Sequence, residues 1–82
     1  MKKNVALKID CAKLKTAAEI HAAIAKQLHF PDYYGANLDA LRDCLGDVLI
    51  EHPIKLVWKE SSTSREDSEL QAIHALLTEV VG

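Results

Sequence analysis

Near the start of the chain, Val5, Leu7 and Ile9 alternate with Asn4, Ala6 and Lys8, the period of a strand with one buried face. The period then changes. Ile20, Ala23, Ile24 and Leu28 recur at helical spacing behind Thr16 and Glu19, which form a T-x-x-E capping box. Pro31 is expected to stop this helix. Gly35 and Asn37 mark a turn and a second helix start, because an Asn side chain accepts hydrogen bonds from first-turn amides. Leu38, Leu41 and Leu45 predict its buried stripe, and Gly46 reads as its end. The stretch from Gly46 to His52 leads to Pro53, which introduces Ile54–Trp58 as a second strand. Lys59–Asp67, rich in serine and charge, reads as a surface loop. Ser68 with Gln71 then predicts a capped last helix with Leu70, Ile73, Leu77 and Val80 on its apolar side.

The order is strand, helix, helix, strand, helix. Strands joined by long helical crossovers are most simply parallel, so the expectation is a small α/β layer of parallel strands against about three helices. At 82 residues the whole chain, 1–82, is expected to form one domain. With 49% hydrophobic residues it can build a core. The opening MKKNVALKIDC copies a signal peptide only superficially, since Lys8 and Asp10 interrupt an apolar run far shorter than the ~7–15 residues required. A cytoplasmic location is expected, with no membrane partner. Cys11 and Cys44 then default to reduced thiols.

Charge sharpens the picture. The net charge of −2 argues against direct nucleic-acid binding. The acids are unevenly spread: Asp32, Asp39, Asp43, Asp47 and Glu51 fall together, with Arg42 the only cation among them. Asp39 and Asp43, four apart, stack on one face of the second helix, where like charges destabilise it by roughly 0.2–0.5 kcal/mol. Asp39 recovers part of this from the positive helix end, but Asp43 lies too far along. Such a face beside Tyr33 and Tyr34 suits something cationic. The bland reading, a solvated helix face, is the usual one for exposed acids. No cofactor is expected: the four histidines have no metal-ligand spacing, and no P-loop, nucleophile elbow or dinucleotide fingerprint occurs. No third catalytic group accompanies the two acids, so an enzyme is not expected.

The run Tyr33-Tyr34-Gly35-x-Asn37-Leu38-Asp39-Ala40-Leu41-x-Asp43-Cys44-Leu45 resembles the signature of the barstar family, intracellular inhibitors of small secreted ribonucleases. The resemblance is dense from about Phe30 to Trp58 and looser elsewhere. It implies a protein that plugs an enzyme's active site, with a small basic ribonuclease or related nuclease toxin as partner. Asp39 and Asp43 match acids that contact the enzyme, Tyr33 matches an interface aromatic, and Tyr34 matches a more structural one. Gly35 and Asn37 lie in the family's contact segment and read mainly as structural. Cys44 matches a family cysteine and reads as packing.

The chain also departs from the pattern. Arg42 stands where the family commonly has Trp, and could pair with Asp39 along the helix. The Gly46–His52 stretch is one residue longer and lacks the family's aromatics, although Gly46 and Asp47 keep a place in the expected contact set. The family's acid on the last helix aligns with Ala75, leaving Glu79, one turn on, as the candidate. The family's third strand is apparently missing. These departures weigh against tight inhibition of barnase itself and leave room for a different cognate nuclease. The alternative is an interaction module for another protein, or self-association through the open sheet edge, giving a monomer or weak homodimer.

Overall fold

The computed structural model describes residues 4–81; the basic opening of the signal-like stretch, Met1 to Lys3, and Gly82 lie outside it. The elements run β1 (Val5–Asp10), α1 (Ala17–Leu28), α2 (Leu38–Glu51), β2 (Ile54–Lys59) and α3 (Ser68–Val81), with a 3₁₀ turn at Ser64–Glu66 before α3. The two strands pair in parallel, Val5 opposite Ile54 through Asp10 opposite Lys59. This is the α/β arrangement that the alternation of patterns implies, and the described residues form a sheet of two strands. Leu7 and Ile9 of β1 bury against Ile20 and Ile24 of α1, Leu41 and Leu45 of α2, and Ile73 and Leu77 of α3. Among the described residues, no helix is long and apolar enough to cross a membrane.

The ends of α1 follow local chemistry. Thr16 Oγ1 accepts the Glu19 N–H at 3.1 Å, while the Glu19 carboxylate reaches back to the Lys15 N–H at 3.3 Å. At the other end His29 turns left-handed (φ 56). The Phe30 N–H then donates to the Ala25 carbonyl at 2.9 Å, closing a Schellman motif. The helix therefore ends at Leu28, three residues before Pro31, through His29 rather than through the proline.

Three expectations need correction. Gly46 does not end α2, which continues to Glu51. A mid-helix glycine costs about 1 kcal/mol, but Val48 and Leu49 continue the apolar period and pack against the core. The helix ends where Pro53 forces its predecessor, His52, into extended backbone. Leu38 is not part of the buried stripe: it is 42% exposed, while Leu41 and Leu45 are fully buried. Nor does Ser68 cap α3. Asp67 does so, its Oδ1 accepting the N–H groups of Glu69 at 3.0 Å and Leu70 at 3.3 Å.

The stretch between β2 and α3 is also more than a surface loop. Lys59 belongs to β2, and Ser64 is buried. Ser64 Oγ donates to Glu60 Oε2 at 2.7 Å; the same carboxylate accepts from Gln71 Nε2 at 3.2 Å and Trp58 Nε1 at 3.1 Å. Gln71, read from sequence as a capping partner, thus serves this latch. Trp58 is half-buried against the core and stacks on His74 of α3 with ring centroids 4.6 Å apart.

Candidate functional site

The second helix begins where its sequence indicates. Asn37 Oδ1 accepts the Ala40 N–H at 2.8 Å, satisfying one first-turn amide. The left-handed residue of the preceding turn is Ala36 (φ 50), not Gly35. Gly35 serves a different need: a Cβ there would come within 3.1 Å of the Asn37 side-chain nitrogen. The missing side chain leaves room for the cap.

Because α2 runs on through Gly46, Asp39, Asp43, Asp47 and Glu51 fall at i, i+4, i+8 and i+12 on its exposed side. Helical geometry sets each of them one turn above the last, in a row that winds slowly along the exposed side. Glu51 also stands in the last turn of α2, which contains no basic residue, and so faces the negative end of the helix dipole. Such a placement disfavours the helix by about 0.3–1 kcal/mol. A row of acids that opposes both its neighbours and the dipole is not what helix stability alone selects.

Tyr33, Asp43, Asp47 and Glu51 line one open groove of about 580 Å³, whose floor includes Phe30, Pro31 and Val48. Asn37 and Asp39 line an adjacent groove with Leu38 and His21. The predicted residues therefore divide between two neighbouring surfaces joined by the α2 row. Sequence reasoning does not single out Glu51 as a site residue. Its signal is the four-residue acid spacing, hidden by the expectation that Gly46 stops the helix.

Tyr33 and Tyr34 separate as adjacent turn residues can. Tyr33 is 87% exposed. Tyr34 packs edge-on against Phe30, ring centroids 4.9 Å apart, and its hydroxyl meets His21 Nδ1. Burial pushes the Tyr34 hydroxyl up to about 12 and lowers His21 from its ordinary value. The phenol thus keeps its proton, and its hydroxyl and the neutral imidazole share one hydrogen bond.

Arg42 does not pair with Asp39. Its guanidinium lies 3.5 Å from Glu79 on α3, next to Asp43 in sequence but turned to the neighbouring helix. That leaves the row uncompensated by the one cation within its sequence, and it occupies Glu79. Gly46 is exposed, and a Cβ added there would meet nothing within 4 Å. Cys44 and Cys11 are both free thiols. Burial, with Asp47 and Asp43 nearby, pushes the Cys44 thiol up, which makes it a packing group and a poor nucleophile. Among the described residues, no group of three or more His, Cys, Asp or Glu is placed to hold a metal ion.

Comparison with known proteins agrees with this geometry at the level of family. The family model described as "Barstar (barnase inhibitor)" matches residues 4–82. A protein of Bacillus subtilis (strain 168), named "Putative ribonuclease inhibitor YrdF", is 43% identical over 51 residues, or 62% of this chain. The matched stretch spans 55%, about half, of that protein's length.

Proposed function

The chain belongs to the barstar family, and from that premise we propose that it inhibits a small basic ribonuclease by laying the acidic face of α2 over the enzyme's active site. A ribonuclease must hold phosphate with Arg and Lys, and fixed carboxylates can take the phosphate positions. Asp39 and Asp43 supply those charges, Tyr33 packs its ring on the enzyme surface, and Gly35, Asn37, Gly46 and Asp47 frame them. Arg42 and Glu79 form the rim. The chain acts as a plug and catalyses nothing, and its place of action is the cytoplasm of the cell that makes the nuclease.

The observation that carries this reading is the exposed row from Asp39 to Glu51, kept against neighbour repulsion and against the helix dipole. Desolvated charge pairs at such interfaces are worth several kcal/mol, a scale known from the barnase–barstar pair itself. Steering by the row should also make association fast and salt-sensitive. The Arg42–Glu79 pair favours a nuclease other than barnase, because it sets a cation beside the row.

The test is binding and inhibition of a barnase-type ribonuclease by the native chain and Asp43→Ala at low and high salt. Salt-sensitive inhibition that the variant loses supports the plug. Equal binding by the variant would sink it, and no binding by either would turn the search to other nuclease toxins.

A further inference from the structure

The starts of all three helices meet at the groove that Asn37 and Asp39 line. Ala18 of α1, Leu38 of α2 and Ala72 and Ile73 of α3 give it apolar walls around a space of about 630 Å³. The exposed Leu38 is the large apolar side chain of these walls, and nothing in the described residues covers it.

His21 sets the chemistry of this groove. The residue is only 5% exposed and lines it. Its Nδ1 is taken by the Tyr34 hydroxyl, which leaves Nε2 without a protein partner. Among the described residues, no buried side-chain nitrogen or oxygen lacks a hydrogen bond, so Nε2 must remain open to the groove. Burial lowers the imidazole from its ordinary value. A neutral nitrogen therefore looks out between apolar walls, and it needs a hydrogen bond from whatever displaces water there.

The surroundings select among occupants. Asp39 and Glu69, both exposed, line the same groove and repel the carboxylates and phosphates that helix starts otherwise attract. A cation would settle on those acids and leave Nε2 unanswered. A serine or threonine hydroxyl brings too little apolar surface to cover Leu38. A phenol brings both a ring and a hydroxyl, and because that hydroxyl donates or accepts, it suits Nε2 in either tautomer.

We infer that this groove receives the phenol of a tyrosine from the partner protein, its ring against Leu38 and its hydroxyl bonded to His21 Nε2. Asp39 belongs both to the groove and to the acid row of α2, so a protein laid on that row also covers the mouth. That the tyrosine is the nuclease's rests on the reading proposed above; the phenol site itself does not.

The probe is p-cresol, titrated into the full chain at neutral pH and followed by the amide and imidazole nitrogen resonances. Saturable shifts at Leu38, Ala72 and His21 Nε2 are expected. Toluene, which has the same shape without the hydroxyl, should bind roughly tenfold more weakly. His21→Phe should abolish that preference. Ala18→Trp, at an exposed helix position, fills the mouth without touching the core and should abolish p-cresol binding. Equal affinity for p-cresol and toluene in the native chain, or shifts that never saturate, would overturn the site. Against a nuclease that the native chain inhibits, Ala18→Trp should inhibit at least tenfold less well. Full inhibition by Ala18→Trp beside a loss in Asp43→Ala would overturn the tyrosine contact and leave the plug standing. Preferential p-cresol binding by a chain that inhibits no nuclease would uphold the site and remove only the nuclease as its partner.

Discussion

Tyr34 Oη stands 2.6 Å from Nδ1 of the buried His21, and this bond ties the segment that presents Tyr33 to the first helix. The exposed ring and its anchored neighbour divide two tasks, contact and positioning. Tyr34→Phe removes this hydrogen bond and leaves the imidazole nitrogen without its partner, so stability should fall by about 1 kcal/mol. Tyr33→Ala should stay within about 0.5 kcal/mol of the native chain while weakening nuclease inhibition. Urea unfolding and inhibition assays on both variants separate the two roles. Similar losses of stability in both would show that the division is wrong.

The same pair gives the fold an acid sensitivity. His21 is held below its ordinary value of 6.5 by burial. Its contribution is therefore fully present above that value and lost as pH falls through the lower folded value. Glu60 is also held down, first by the Ser64 hydrogen bond and then by Gln71. Its contribution is full above the ordinary carboxylate value and lost at lower pH. Melting temperature should start to fall in mild acid, and His21→Gln should flatten that first decline while leaving the more acidic one. An unchanged profile in the variant would remove His21 as the cause.

Gly46 occupies a helix interior with open space where a Cβ would stand. Gly46→Ala should raise stability by about 1 kcal/mol, read as a higher urea midpoint at constant slope. A fall in the midpoint would contradict a continuous α2. If inhibition drops while stability rises, the bare backbone at Gly46 is part of the contact surface.

Glu51 should show the opposite pull of stability and function. Glu51→Gln relieves repulsion at the negative end of α2 and should add about 0.3–1 kcal/mol. It should also slow association with a basic nuclease, most clearly at low salt. Stopped-flow association rates beside unfolding curves would check both, and an unchanged rate would place Glu51 outside the steering row.

The Arg42–Glu79 pair is exposed on both sides, with side-chain accessibilities of 54% and 65%. Such pairs contribute about 0–1 kcal/mol, so Arg42→Ala should barely change the melting temperature. It should leave the acid row of α2 without its flanking cation and release Glu79. Faster, more salt-dependent association with the nuclease is the expected result; slower association would make Arg42 itself a contact.

Local chemistry is legible in the sequence wherever it is short-ranged. The strand alternation at Val5–Ile9, the Thr16–Glu19 box and the Asn37 cap depend on residues within a few positions of one another, and each forms as read. The acid surplus around α2 is visible for the same reason, whereas the separate roles of Tyr33 and Tyr34 are implied only by the family resemblance. Gly46 misleads because local propensity argues for a stop worth only about 1 kcal/mol, less than the burial that Val48 and Leu49 gain by continuing the helix. That one tertiary decision extends the acid row to Glu51. Sequence alone offers Arg42 only Asp39 as a partner, and the packing of α3 against α2 brings Glu79 to it instead. The hydrogen bonds of Gln27 to the Lys8 backbone, nineteen positions away, are likewise fixed by the assembled layers. Nearest-neighbour chemistry belongs to the sequence; which distant groups meet is set by how the helices share one core.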